Sequence, residues 1–87
     1  MSDDDIRRRV LRLVATMAPT AGDRALTGSE HLVDDLGFDS VRMLELLMVI
    51  ERAFELPAHR PEQLSDVRRA DDVVALTERA VHSGVQL

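Results

Sequence analysis

The chain has 87 residues, with 16 acidic against 11 basic side chains and a formal charge of −5, enough for one domain built on one modest core. It contains no lysine and no cysteine, which excludes disulfides, thiolate metal sites and a thiol nucleophile of the chain's own. The acidic balance argues against a nucleic-acid ligand, no apolar run reaches the ~20 residues of a membrane span, and Met1-Ser2-Asp3-Asp4-Asp5 is acidic where a signal peptide is basic.

A first helix is predicted over residues 3–18. Ser2 and the three aspartates after it suit an N-cap and the positive end of a helix dipole. At roughly 100° per residue Ile6, Val10, Leu13, Val14 and Met17 form one stripe, while Arg7, Arg8, Arg9 and Arg12 fall off it. Beside three aspartates that arginine cluster reads as a solvated helix face, not a nucleic-acid patch. Pro19 stops the helix. Residues 19–39 form a connection of a length that is often functional, and Leu26, Leu32, Leu36 and Phe38 are expected to pin it over the core. A second helix is predicted from Ser40 to Phe54 or Glu55, before Pro57. Residues 61–67 suit a short third helix, with Pro61 in its first turn. The last helix is expected from Asp71 to His82, with Val73, Val74, Thr77, Ala80 and Val81 on one face and Gly84 as its stop. No segment alternates with period two. The expected fold is all-α: a small four-helix bundle with three main helices, one short helix and a long loop between the first two, residues 1–87 forming a single domain.

The second helix carries more apolar surface than one stripe accounts for. Met43, Leu46, Leu47, Ile50, Ala53 and Phe54 cover one side, and Val41, Leu44 and Met48 recur on the other among Glu45, Glu51 and Arg52. Such a helix is either central and packed on two sides or has an exposed face that binds something. Burying the interleaved charges without partners is costly, which favours exposure and a transient docking surface.

Ser40, preceded by Asp39, opens this helix. A serine there ordinarily caps free backbone N–H groups. The same place also suits a phosphate, since the helix dipole and the free N–H groups favour an anion. As a catalytic nucleophile it lacks support, because His31, His59 and His82 stand at no recognisable spacing from it. A hydroxyl at a loop–helix junction beside a docking ridge is better suited to being modified than to catalysing.

The run Leu32-Val33-Asp34-Asp35-Leu36-Gly37-Phe38-Asp39-Ser40-Val41 resembles the attachment motif of acyl carrier proteins. The resemblance continues through Glu45-Leu46-Leu47-Met48-Val49-Ile50-Glu51 to Phe54 and Leu56-Pro57, and returns at Asp71-Asp72-Val73-Val74-Ala75-Leu76, covering about residues 30–80. It implies that Ser40 receives 4′-phosphopantetheine from coenzyme A through a phosphopantetheinyl transferase, for which Asp39 is important, while Gly37 permits the tight backbone before the helix. It further implies that Val41, Leu44, Glu45 and Met48 contact partner enzymes. Met43, Leu46, Leu47, Ile50, Leu64 and Val67 match the region that can shelter an attached acyl chain, beyond ordinary core packing. On this reading the chain is a carrier and not an enzyme, a cytoplasmic monomer without membrane or nucleic-acid partners.

Three departures shift the expected pathway. Arg42 and Arg52 stand on a helix that is more acidic in fatty-acid-synthesis carriers, the Pro57–Val67 segment is longer, and Phe38 replaces a smaller residue. These favour a free-standing carrier of a specialised polyketide, nonribosomal peptide or related pathway. Its expected partners are acyl-loading, ketosynthase, condensation or tailoring enzymes. The rival reading is an unmodified helical adaptor that binds through the second-helix ridge, with Ser40 only a cap.

Overall fold

Three helices supply the regular structure among the described residues, 2–20, 25–56 and 66–84 of a computed structural model: α1 (Asp3–Met17), α2 (Ser40–Ala53) and α3 (Ala70–Gly84). Among these residues there is no strand, only an isolated antiparallel bridge between His31 and Arg69. The fold is all-helical, as expected. The anticipated short helix over 61–67 lies outside the described residues except for Asp66, in a turn, and Val67, in no helix. No helix of the described residues is long and apolar enough to cross a membrane.

α1 begins where its sequence says it should. The Ser2 hydroxyl accepts the Asp5 N–H at 3.2 Å, with Asp3, Asp4 and Asp5 in the first turn. Its stripe of Ile6, Val10 and Val14 is fully buried, flanked by half-buried Leu13 and Met17. α1 packs against both other helices. The arginine face does more than face water. Arg7 pairs with Asp71 of α3 and donates to the Thr27 carbonyl at 2.7 Å. Arg9 stacks over the Phe54 ring, 4.5 Å from its centroid, and donates to the Ala53 carbonyl at 3.2 Å. Two of the four arginines thus tie α1 to the long loop, to α3 and to the end of α2.

The connection between α1 and α2 is held in two ways. Leu32, Leu36 and Phe38 are buried in the core and Leu26 packs against it. The backbone of the loop also caps α3. The N–H groups of Ala70 and Asp71, which have no partner inside their own helix, donate to the carbonyls of Glu30 and Gly28 at 3.0 and 2.8 Å. Gly28 has φ +106°, and a Cβ there would sit 2.6 Å from Arg7 Nη2, inside the Arg7–Asp71 pair. Gly28→Ala is therefore expected to cost roughly 1–3 kcal/mol, read as a lowered urea midpoint.

α2 closes with paired reverse bonds: Leu56 N–H to the Glu51 carbonyl at 2.8 Å and Glu55 N–H to the Arg52 carbonyl at 3.4 Å. Glu55 takes the left-handed conformation, φ 55°, that glycine usually fills.

Two carboxylates fix the loop–α3 junction. Asp72 Oδ2 accepts the N–H groups of both Arg68 and Arg69 at 2.9 Å, and these bonds hold its carboxyl below the ordinary 3.8. Glu30 is pushed up by burial, but the Thr27 and Gly28 N–H groups, both at 2.8 Å, and the Thr27 hydroxyl outweigh this and hold it below 4.5. A depressed folded-state pKa contributes stability that is complete above the unfolded value and lost as pH falls through the folded one. Stability should therefore decline as pH drops below 4.5. Asp72→Asn with Glu30→Gln should flatten that decline, checked by urea midpoints across an acid pH series.

Candidate functional site

The site is built where the loop delivers the chain to α2. Gly37, at φ +79°, turns the backbone; a Cβ there would meet Thr20 Cγ2 at 3.0 Å. Phe38 then drives into the core, 2 % exposed and the largest fully buried side chain, and its N–H donates to the Leu32 carbonyl at 2.9 Å. The next two residues emerge into solvent. Asp39 is extended (φ −115°, ψ −175°), and its carboxylate accepts the Arg42 N–H at 2.8 Å. The N-cap of α2 is therefore Asp39 and not Ser40.

That placement removes the capping role that the sequence offered Ser40. With capping done by Asp39, Ser40 is the first helical residue, exposed and with no side-chain hydrogen bond among the described residues. Its hydroxyl stands at the positive end of α2, beside first-turn amides that have no carbonyl one turn back. This end can hold an anionic phosphate ester. Phe38 below, Gly37 before and the Asp39 cap fix its place without involving the hydroxyl itself.

The exposed side of α2 runs away from this serine. Val41 is 67 %, Leu44 48 % and Met48 57 % exposed, with Glu45 exposed among them. A helix packed on both sides would have buried them. Arg42 lies 3.7 Å from Glu45, a solvent-facing pair of small energetic worth. Val49 and, in the loop, Val33 add further exposed apolar surface; neither was singled out by the i, i+3, i+7 spacing, because each lies off that line.

On the opposite side of α2, Met43, Leu46, Leu47 and Ile50 converge with Val67 and line one cavity. Val73 and Leu76 of α3 complete its wall. Neither was assigned to the shelter from sequence, where Val73 was placed on the core face of the last helix and Leu76 stood only within the run that resembles the family. Leu64 lies outside the described residues. The cavity encloses only about 10 Å³, space for a single water-sized sphere and not for a chain of methylenes.

Among the described residues the two histidines are engaged elsewhere: His31 Nδ1 accepts the Asp34 N–H at 3.2 Å and His82 Nε2 lies 3.1 Å from Asp3 Oδ1, while His59 lies outside those residues.

With this geometry in view, comparison with known proteins is direct. Residues 8–75 match the family described as "Phosphopantetheine attachment site". An acyl carrier protein of Akkermansia muciniphila is 33% identical over 81 residues, covering 91% of this chain and 96% of that protein. An exposed serine at a helix start, an apolar ridge leading from it and a match across most of the chain converge: the chain belongs to the acyl carrier protein family, whose cofactor is 4′-phosphopantetheine.

Proposed function

We propose that Ser40 is the attachment residue and that the chain carries acyl intermediates to partner enzymes of a specialised polyketide, nonribosomal peptide or related pathway. The observation that carries this reading is the division of labour at the start of α2, where Asp39 caps and Ser40 is left exposed. The group supplies, when bound, a terminal thiol on a flexible arm that holds acyl groups as thioesters. In the attachment reaction Ser40 Oγ gives up its proton, bonds to phosphorus of coenzyme A and displaces adenosine 3′,5′-bisphosphate. On this reading the transferase supplies the base for that step, and Asp39 Oδ1 accepts the Arg42 N–H. Asp39 acts by fixing the α2 terminus, and so the direction in which Ser40 is offered.

Tethering raises the effective concentration of cargo at each active site without release, so docking can be weak and fast. Val41, Leu44, Glu45 and Met48 form that docking ridge. Met43, Leu46, Leu47, Ile50 and Val67 line the place where cargo is sheltered, and its small volume means the α2–α3 contact must open to admit a chain. The pathway rests on Arg42, Arg52 and Phe38 and on the length of the 57–67 segment.

Incubation with coenzyme A and a broad-specificity phosphopantetheinyl transferase tests the reading by intact mass. One phosphopantetheine increment is expected. A folded chain that gains none is the unmodified adaptor instead. For the ridge, Met48→Glu is expected to raise a partner's KM severalfold while moving stability by less than about 0.5 kcal/mol, because the side chain is more than half exposed. A collapsed melt would place Met48 in the core.

A further inference from the structure

We propose that the ridge is read in one direction, and that Arg52 at its far end meets a carboxylate on the phosphopantetheinyl transferase that modifies the chain. The inference rests on the carrier reading and adds the charge pattern of the partner's surface. The chain's charge is −5, yet α2 itself carries Arg42 and Arg52 against Glu45 and Glu51. Those charges are not equivalent. Arg42 faces Glu45 at 3.7 Å, and Glu51 has a partner of its own. Arg52 is exposed and has no ion pair among the described residues. At 100° per residue it falls on the line of Val41 and Met48, one turn beyond Met48. The other end of the strip is acidic, with Asp34, Asp35 and Asp39 all exposed in the approach to Ser40.

The docking strip is therefore polarised: carboxylates beside the serine, apolar residues along the middle and, about 18 Å along the helix axis (twelve residues at 1.5 Å each), a guanidinium with no ion pair among the described residues. A standard interface buries about 800 Å² per partner, a patch wide enough to span from Ser40 to Arg52. A transferase active site must reach Ser40, so its surface is placed to meet both ends. Complementarity then asks for basic groups near the catalytic centre and an acidic group at the distal edge. A seat turned end for end would set like charges together at both ends. A guanidinium suits a planar carboxylate partner better than an ammonium does.

Arg52 also sits in the last turn of α2, where a cation is favourable to the helix dipole whatever docks. The test separates these roles. KM and kcat for phosphopantetheinylation by a purified broad-specificity transferase are measured at low and high salt for the wild-type chain, Arg52→Lys, Arg52→Gln and Arg52→Glu, each with its thermal melt. The expected result at low salt is a KM raised about three- to tenfold by Arg52→Glu, less by Arg52→Gln and least by Arg52→Lys. kcat should hold and the difference should shrink as salt rises. Reversing an acidic residue at the distal edge of the transferase to Lys should restore the Arg52→Glu chain. An unchanged KM for Arg52→Glu, or a KM that only tracks the melt, overturns the proposal. Failure of the wild-type chain to accept the group would strike the carrier reading itself.

Discussion

Ser40→Ala is expected to leave the protein as stable as the wild type and to abolish phosphopantetheine transfer completely. The two halves of that result have different origins. Ser40 is the first residue of α2, exposed, and gives its helix no capping bond, so removing the hydroxyl should move stability by no more than about 0.5 kcal/mol. The oxygen that must bond to phosphorus is gone, so intact mass should show no increment at any transferase concentration. Asp39→Ala is the contrast. It deletes the carboxylate that accepts the Arg42 N–H at 2.8 Å and should cost about 1 kcal/mol, while leaving an oxygen to be modified at reduced rate. If the serine were the cap, the stability effects would be reversed, and a pair of urea titrations reads this without any partner enzyme.

Phe38→Ala is expected to have the largest effect on the fold, costing about 3–5 kcal/mol. Phe38 is the largest fully buried side chain, 2 % exposed, and it anchors the loop one residue before the Asp39 cap. For a domain of this size such a loss lowers the melting temperature by roughly 12 °C or more, and it is a large share of the total stability. Phe38→Leu keeps most of the volume and should cost under about 1.5 kcal/mol. The pair separates buried volume from aromatic character: equal losses would mean the ring itself is needed. Transfer to Ser40 should fall with Phe38→Ala in proportion to the unfolded fraction, since the residue touches the site only through the backbone.

Much of this molecule is legible in the amino-acid sequence because its signals are periodic. Ile6, Val10 and Val14 are buried at the spacing that predicts it, and Leu32, Leu36 and Phe38 are buried because apolar residues in a polar loop have nowhere better to go. The choice of cap was not legible. Aspartate and serine are nearly equal N-caps, they stand side by side at 39 and 40, and the extended backbone of Asp39 decides between them. Nor were the roles of Arg7 and Arg9, whose partners lie 64 and 44 residues away; in sequence an arginine bound to a distant carbonyl looks like one in water. Glu30 and Asp72 were hidden for the same reason, since each acts as a turn-capping carboxylate on backbone N–H groups. The ridge was half legible. Spacing found Val41, Leu44 and Met48, and the charges between them favoured their exposure, but Val49 and Val33 lie off that line and only the structure shows them exposed as well.

These pieces describe a small helical domain built around one exposed hydroxyl. Its helices fix one hydroxyl at the start of α2 and leave an apolar strip beside it, with acidic residues at one end and a guanidinium at the other. On the carrier reading this hydroxyl, on Ser40, is the one that bears the arm. Fragmentation of the modified chain by tandem mass spectrometry tests it most directly. A single phosphopantetheine increment confined to the fragments that contain Ser40 is expected. An increment on Ser29, Thr20 or any other hydroxyl, or a folded chain with none, would contradict it.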